Sequence, residues 1–314
     1  MGNRIATREA YGKALVKLSE LNKDVVVLDA DLSKSTKTAD FKAVSPERFI
    51  NIGIAESNMM GIAAGLSTCG KIPFASTFAM FAAGRAFEQI RNSICYPKLN
   101  VKICATHAGL TVGEDGATHQ SIEDISLMRS IPNMIVINPA DAIETEAAIL
   151  AVAEYNGPCY VRLGRLAVSV INDNDNYKFE IGKGVTLSHG NEVTIVATGM
   201  MVELALDAKE ELAKDGINAR VINIHTIKPI DKELLMNAAK ETGAIVTVEE
   251  HSVIGGLGSA VAEVVTEECP VPVIKVGIKD TFGESGKPNE LLKAYGLTTE
   301  AIVEHTKKAI SLKK

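Results

Sequence analysis

The sequence predicts an α/β protein with two domains, each built on a mainly parallel β-sheet that helices flank. Apolar strand-like runs alternate with helical patterns in both halves of the chain, as parallel sheets require. The chain has 314 residues, enough for two domains of ordinary size. A polar N-D-N-D-N run at 172–176 interrupts the alternation. We therefore place the domains at 1–168 and 191–314, with a linker at 169–190.

Composition excludes several classes of protein. The chain is 46% hydrophobic with a net charge of −6, which argues against general binding to nucleic acid or membrane surfaces. No apolar run reaches the roughly 20 residues of a membrane-spanning helix, and the first residues lack the apolar core of a signal peptide. The five cysteines form no C-x-x-C pair. This usage is typical of buried, reduced cysteines, so we expect a cytoplasmic protein.

The first half begins with an amphipathic helix, Ile5–Leu21, which Thr7 is expected to cap. Continuous apolar runs, typical of parallel-sheet strands, then alternate with helices. The predicted strands are Asp24–Ala30, Ile50–Ile54, Pro73–Thr77, Val101–Thr106, Met134–Asn138 and Tyr160–Leu163. The predicted helices are Asn58–Leu66 with Ser57 or Asn58 as N-cap, Phe78–Ser93, Ser121–Arg129 with Ser121 as N-cap, and Asp141–Tyr155.

The alternation resumes after the linker. The predicted strands are Val193–Thr198, Ala219–Asn223, Ala244–Glu249 and Val271–Val276. The predicted helices are Val202–Lys214, Asp231–Lys240 with Asp231 as N-cap, Gly258–Glu268 and Thr298–Ile310.

One carboxylate stands in an otherwise apolar stretch. Glu56 follows the strand at Ile50–Ile54 and precedes a helix of small residues, so we expect it to be buried at a strand-to-helix junction. A buried carboxylate requires a hydrogen-bond donor, which a helix terminus or a buried Arg could supply. Phe78 and Phe81 indicate a second interpretation, a site for a flat nitrogen-containing ring.

A glycine-rich loop at 106–120 contains His107, Asp115 and His119. Glycines allow a loop to approach a ligand closely. The three side chains could bind a metal, although their spacing matches no compact zinc motif and no cysteine joins them. Hydrogen-bonded turn histidines are the alternative. Arg8 lies at the positive end of a helix dipole, which indicates either a solvated surface Arg or an anion-binding Arg.

Two motifs resemble the pyrimidine-binding domain of transketolase, a thiamine diphosphate-dependent family. They are N-I-G-I-A-E-S-N-M at 51–59 and S-T-F-A-M-F at 76–81. E-E-H-S-V-I-G-G-L-G-S-A at 249–260 resembles the family's C-terminal domain. The resemblance covers nearly the whole chain. It implies a pyrimidine-binding domain followed by a transketolase C-terminal domain, which together make up the carboxyl-terminal half of transketolase.

The resemblance implies a role for each matching residue. Glu56 matches the family Glu that hydrogen-bonds the aminopyrimidine of thiamine diphosphate and promotes proton loss from the cofactor's reactive carbon. Phe81 and Phe78 would contact that ring, and Asp31 would support the cofactor-facing loop. The 106–120 loop matches the family's sugar-contacting loop, in which His119 would assist proton transfers. The implied substrate-binding residues are Arg8, Ser35 and Arg165 for phosphate, and His107, Asp115 and His119 for sugar hydroxyls.

The sequence lacks one motif of the family. The family holds the diphosphate and magnesium through a G-D-G motif, and none occurs here. We therefore expect an N-terminal transketolase subunit to bind the diphosphate and Mg²⁺, with two copies of each chain in a heterotetramer. Gly84 occupies a position where the family often has an aromatic residue, so we expect another group to pack against the ring on that side.

The implied activity is a split transketolase that transfers a two-carbon ketol unit from a ketose phosphate to an aldose phosphate. Two related thiamine enzymes share the Glu and the G-G-L-G segment, namely the C-terminal half of 1-deoxyxylulose-5-phosphate synthase and the beta chain of 2-oxoacid dehydrogenases. The paired His107 and His119 with G-E-D-G, together with Arg8 and Arg165, favour transketolase over the dehydrogenase beta chain. The synthase loop is more similar, so the synthase is the second candidate. The remaining alternative, a non-catalytic assembly paralogue, would need none of these residues.

Overall fold

A computed structural model describes residues 3–172 and 177–313 and confirms the α/β class, with mainly parallel sheets flanked by helices. The strands are β1 Arg4–Ala6, β2 Val25–Asp29, β3 Phe49–Asn51, β4 Ile72–Phe78, β5 Lys102–Thr106, β6 Ile135–Ile137, β7 Cys159–Arg162, β8 Ala167–Ser169, β9 Val185–Ser188, β10 Val193–Ala197, β11 Ala219–Asn223, β12 Thr226–Lys228, β13 Ile245–Ser252 and β14 Val273–Ile278. The helices are α1 Thr7–Leu21, α2 Ser33–Thr36, α3 Thr38–Val44, α4 Glu56–Thr68, α5 Phe87–Gln89, α6 Asp124–Ser130, α7 Ala142–Glu154, α8 Met201–Lys214, α9 Lys232–Thr242, α10 Leu257–Glu268, α11 Pro288–Ala294 and α12 Thr299–Ser311.

The first half is built on a seven-stranded sheet in the order β12-β6-β7-β5-β4-β2-β3. Its neighbouring strands are parallel except for β12, which pairs antiparallel with β6. Strands β2 and β5 are buried along their whole length, because helices cover both faces of a parallel sheet. The carboxyl ends of the parallel strands therefore lie along one edge, where ligands of open α/β sheets bind.

The second half is built on a five-stranded sheet in the order β14-β13-β10-β11-β9. Only β9 is antiparallel to its neighbour, and it lies inside the 169–190 segment predicted as a linker. Residues 173–176 of that segment lie outside the described residues. Strand β12 comes from the second half yet joins the sheet of the first half. One apolar core also spans the two halves, from Met59 and Ile103 to Ile222 and Val261.

Two N-cap predictions have opposite outcomes. Asp231 is confirmed as the cap of α9, since its Oδ1 accepts a hydrogen bond from Leu234 N–H at 3.1 Å. The Thr7 prediction is wrong, because α1 includes Thr7 and its N-cap is Ala6. Thr7 Oγ1 instead accepts from the N–H of Gly164 at 2.8 Å. This bond ties the start of α1 to the segment that follows β7.

The predicted caps of two further helices are also wrong. Helix α4 begins at Glu56, so neither Ser57 nor Asn58 precedes it, and Ser57 Oγ donates to the carbonyl of Arg85 at 3.1 Å. Helix α6 begins three residues after Ser121. Ser57 therefore bonds to a different segment instead of capping α4, and the buried hydroxyl of Ser121 has no hydrogen-bond partner among the described residues.

The helix predicted at Phe78–Ser93 is not a single α-helix. Phe78 ends β4, and two π-helical turns, Phe81–Arg85 and Ile90–Cys95, flank the short α5. A π-turn rotates the side chains that follow it relative to an α-helix, and such turns occur frequently at functional sites. Here the first turn contains Phe81 and Arg85, whose contacts are described below.

The five cysteines are free, and Cys95, Cys104 and Cys159 are buried. Burial raises the pKa of Cys104 to about 12, so this group is an inert thiol at neutral pH. Among residues 3–172 and 177–313, no helix is long and apolar enough to cross a bilayer.

Candidate active site

Polar and aromatic side chains gather at the carboxyl ends of five adjacent strands of the first sheet, β7-β5-β4-β2-β3. One predicted site residue lies at or shortly after the end of each strand, in that order Arg165, His107, Phe78, Ser35 and Glu56. Residues from distant parts of the sequence therefore meet at one sheet edge. This is the position at which open α/β sheets bind ligands.

Glu56 is the first residue of α4 and its side chain is 1% exposed, which confirms the predicted burial. Its Oε2 accepts a hydrogen bond from Arg85 at 2.7 Å, and its Oε1 accepts from Thr77 Oγ1 at 3.4 Å. The positive end of the α4 dipole adds a further favourable interaction with the carboxylate. Glu56 thus forms an ion pair with Arg85 and accepts one additional, long hydrogen bond from Thr77.

Arg85 contacts both parts of the predicted ring site. Its guanidinium donates to Glu56 and also lies over the face of Phe81, 4.4 Å from the ring centroid. The side chain of Arg85 is 47% exposed, so it can reach solvent without disturbing the core. Gly84 contributes no side chain there, and Arg85 packs against Phe81 instead. A flat N–H donor of the chain itself, the guanidinium of Arg85, therefore lies between a carboxylate and an aromatic face.

Four rings form a continuous aromatic wall beside Glu56. Phe78 stacks on His107 at a centroid distance of 3.9 Å and is near-parallel to Phe81 at 6.0 Å. His119 meets the edge of Phe81 at 5.2 Å, so the 106–120 loop reaches the ring site. The structure thus brings together both predicted Phe residues and both predicted His residues.

His107 occupies an unusual backbone conformation, with φ of 56°. For a non-glycine residue this left-handed conformation costs about 1–3 kcal/mol, and residues strained in this way cluster at functional sites. Burial, together with the positive charges of Arg8 and Arg165, lowers the pKa of His107 to about 3. His107 is therefore neutral at physiological pH and acts as a hydrogen-bonding group.

Two guanidiniums lie near His107. Arg8 donates to the carbonyl of Ser35 at 2.8 Å, while its buried Nε has no hydrogen-bond partner among the described residues. Burial lowers the pKa of Arg8, and the charge of Arg165 lowers it as well. Arg165 donates to the carbonyl of Val112 and to Glu114 at 3.2 Å. Two neighbouring cations with a free N–H are suited to a tetrahedral anion.

The loop after β2 is shaped by a residue that sequence reasoning missed, the buried Asp29. Asp31, the predicted supporting residue, is exposed in a left-handed conformation with φ of 64° and accepts from Asn51 Nδ2 at 2.9 Å. Burial raises the pKa of Asp29. Its carboxylate accepts hydrogen bonds at 2.6, 2.7 and 2.8 Å from Leu32 N–H, Thr36 Oγ1 and Thr38 Oγ1. These bonds fix the loop that places Ser35 beside Arg8.

Asp115 lies exposed at the tip of the 106–120 loop. The described parts of the chain contain no group of three or more His, Cys, Asp or Glu side chains placed to hold a metal ion. The alternative of a metal site at His107, Asp115 and His119 therefore receives no support from the geometry.

Arg85 is the most important residue that the sequence analysis missed. An Arg partner for Glu56 was one of the open alternatives, but no Arg was assigned. The available signal was the position of Arg85 four residues after Phe81, a spacing that places two helical side chains on one face. The π-turn that adjusts this spacing has no comparable signature in the sequence.

The comparison with known families covers both halves of the chain. The family description "Transketolase, pyrimidine binding domain" matches residues 3–170. The chain belongs to the transketolase family. "Transketolase, C-terminal domain" matches residues 182–302. The transketolase family depends on thiamine diphosphate, so the cofactor expected from the motifs is the cofactor of the family.

Several relatives are separate C-terminal transketolase chains. The "Putative transketolase C-terminal section" of Methanocaldococcus jannaschii is 54% identical over 95% of this chain and 94% of that protein. The "6-deoxy-6-sulfo-D-fructose transketolase subunit SqwH" of Clostridium sp. is 46% identical over 94% of this chain and 92% of that protein. A solved structure described as "Split gene transketolase, inactive beta4 tetramer" has 62% identity and a TM-score of 0.93, over 99% of this chain and 100% of that one. In mammalian transketolases the matched region is 49% of the protein.

The residues of this chain fit one part of thiamine diphosphate, its aminopyrimidine ring. That ring is flat and presents N–H donors, as the guanidinium of Arg85 does between Glu56 and Phe81.

Replacement of Arg85 tests the importance of the ion pair. We expect Arg85→Ala to lower the free energy of unfolding by about 1–3 kcal/mol, because Glu56 would remain buried without its strong donor. The matched control is Arg91→Ala, since Arg91 is exposed and its guanidinium donates to its sequence neighbour Asn92. Chemical denaturation of both variants measures the difference. Equal stability of the two variants would show that Glu56 does not depend on Arg85.

Proposed function

We propose that the chain is the C-terminal subunit of a split transketolase, which transfers a two-carbon ketol unit from a ketose phosphate to an aldose phosphate. The observation that most directly supports this proposal is the double contact of Arg85 with Glu56 and Phe81. Arg85 is a flat N–H donor, and we infer that the aminopyrimidine would take its place between Glu56 and Phe81, as the family resemblance implies. The activity corresponds to glycolaldehyde transfer, the standard transketolase reaction.

Glu56 and the aromatic wall would control the proton of the cofactor's pyrimidine ring. Thiamine diphosphate supplies a carbon nucleophile that protein side chains lack. Glu56 would hydrogen-bond a ring nitrogen through Oε2, the oxygen that Arg85 now contacts, while Phe81 stacks on the ring. The half-exposed Arg85 would then move toward solvent. Burial of Glu56 keeps water away from this hydrogen bond, which strengthens it.

The 106–120 loop would bind the sugar. His107 is neutral, so it can both donate to and accept from a sugar hydroxyl. His119 lies against Phe81, where proton transfers at the reacting carbon would take place, and a His is suited to such transfers near neutral pH. The exposed carboxylate of Asp115 would accept from a hydroxyl and so distinguish its configuration.

Arg8, Ser35 and Arg165 would hold the terminal phosphate of the sugar. The unpartnered Nε of Arg8 and the proximity of Arg165 support an anion at this position. Such a pair of guanidiniums can bind a sulfonate as well as a phosphate. The name of the related subunit SqwH refers to a sulfosugar. The assay below therefore compares a sulfosugar with a phosphorylated sugar as donor.

An N-terminal transketolase subunit would complete the site from a separate chain. It would hold the diphosphate and Mg²⁺, and two copies of each chain would form a heterotetramer. The absence of a G-D-G motif from the sequence is the observation that motivates this division. We also propose that the complex acts in the cytoplasm.

A coupled assay of the reconstituted pair tests the proposal. The chain is assayed alone and with the N-terminal subunit, thiamine diphosphate and Mg²⁺, using a ketose phosphate, a sulfosugar and pyruvate as donors. We expect ketol transfer from the ketose phosphate, and only with the partner. Turnover of pyruvate would indicate synthase chemistry instead. A cofactor-loaded complex that is inactive with every donor would indicate an assembly role.

The variant Glu56→Gln tests the assignment of the proton-controlling group. Gln keeps the shape of the side chain but cannot act as a carboxylate base. We expect kcat of the reconstituted complex to fall by about 100-fold or more, the usual size of a general acid–base contribution. The exposed Glu88→Gln is the matched control. A near-normal rate for Glu56→Gln would remove Glu56 from the mechanism.

The variant Arg165→Ala tests the phosphate site. Loss of one charged hydrogen bond, about 1.5–3 kcal/mol, should lower kcat/KM for a phosphorylated donor by about 10- to 100-fold. We expect a much smaller loss for an unphosphorylated ketose. The measurement is the fall in kcat/KM for the phosphorylated donor divided by the fall for the unphosphorylated donor, with Arg91→Ala as control. Equal losses on both donors would contradict a phosphate role.

A further inference from the structure

The C-terminal half of the chain packs directly against the 106–120 loop. The contact is made by the 279–287 segment, which joins β14 to α11. A Cβ atom built on Gly116 would lie 2.5 Å from Ser285 Oγ, and one built on Gly113 would lie 3.3 Å from the carbonyl oxygen of Gly286. Both glycines also have positive φ, which other residues rarely adopt, so the loop needs glycine at both points of close approach.

Gln120 joins the loop to this segment through one buried carboxamide. Its Nε2 donates to the carbonyls of Leu110 and Gly113, each at 3.2 Å, and to the carbonyl of Glu284 at 2.9 Å. Two of these acceptors lie in the loop and the third lies in the 279–287 segment. The amide therefore closes the loop on itself and attaches it to the C-terminal half.

Glu250 of β13 provides a second, independent attachment. Its Oε1 accepts from the N–H of Thr111 at 2.7 Å, and both residues are buried. The carboxylate fills the space beside Gly109, which leaves no room for a Cβ there. Burial raises the pKa of Glu250, and the positive charge of Arg162 opposes that rise. The start of the loop is thus fixed by a strand of the other sheet.

We propose that the C-terminal half is the positioning element of the sugar-contacting loop, and that Gln120 and Glu250 thereby set which donor sugars are accepted. This inference rests on the proposed function only in taking a sugar as the ligand of the loop. Asp115 directly precedes Gly116, which packs against Ser285. A shift of the 279–287 segment therefore moves the carboxylate that would distinguish hydroxyl configurations. Neither Gln120 nor Glu250 needs to touch the substrate for this effect.

Gly283 offers a way to disturb the contact from outside the loop. Its φ is not positive, so alanine suits its backbone, but the added Cβ would overlap Oε1 of Gln120. In Gly283→Ala the carboxamide must therefore move. We expect kcat/KM of the reconstituted complex for its preferred ketose phosphate to fall about tenfold, a free-energy cost of about 1.4 kcal/mol. The preference over the epimer of that donor should fall as well.

A double-mutant cycle separates positioning from general destabilisation. Gln120→Ala removes the closest atom that the new methyl meets and leaves Leu110 Cδ2 at 2.8 Å, the end of a flexible side chain that can shift. Adding Gly283→Ala in that background should therefore lower kcat/KM by about twofold at most, against the tenfold expected with Gln120 present, since residues that act through one contact are not additive. The matched control is Gly65→Ala, because no heavy atom lies within 4 Å of a Cβ built there. Full additivity in the cycle would overturn the proposal.

Hydrogen exchange tests the positioning role on the chain without substrate, even if the variants lose all activity. Amide hydrogen exchange of residues 109–120 should become faster in Gly283→Ala and in Gln120→Ala, and stay unchanged in Gly65→Ala. If Gly283→Ala and Gln120→Ala both kept the exchange rates and the donor discrimination of the wild type, the positioning role would be refuted. If the wild-type pair transfers no ketol group from any donor, the proposed function fails instead, and the exchange experiment still tests the contact.

Discussion

The buried carboxylate of Glu56 is the constraint on which the ring site depends. At 1% exposure it has lost its contact with water and needs hydrogen-bond donors from the protein, of which Thr77 supplies a long one. Arg85 supplies the strong one while it stacks on Phe81, so a flat group with an N–H edge lies at this position. Because Arg85 is half exposed, its release costs less than would the release of a buried partner.

Around this carboxylate the fold separates three tasks along one sheet edge. The ends of β3 and β4 provide Glu56 and the two Phe rings, the end of β5 provides the loop proposed to contact the sugar, and the ends of β2 and β7 provide the proposed anion site. The 106–120 loop contacts the C-terminal half through Gln120, which donates to the carbonyl of Glu284, and through Thr111, which donates to Glu250. The C-terminal half thereby acquires a physical connection to the site although the residues proposed to bind ligands all lie in the first half.

Much of the fold could be predicted because its strands are continuous apolar runs, such as Val25–Asp29, which only a covered parallel sheet accommodates. The approach of Glu56, His107 and His119 to one another followed from sequence motifs. Arg85 could not be assigned, because its position depends on a π-turn. The contact of Gln120 with Glu284 could not be predicted either, since it joins residues 164 positions apart through a backbone carbonyl.

Calorimetric titration most directly tests the central claim, which is that this chain binds the pyrimidine ring while a second chain binds the diphosphate. Thiamine diphosphate with Mg²⁺ is added to this chain, to its N-terminal partner, and to an equimolar mixture. The account predicts tight, saturable binding in the mixture and at least about 100-fold weaker binding to either chain alone, since each would lack contacts worth about 3 kcal/mol or more. Binding to this chain alone as tight as binding to the mixture would contradict it.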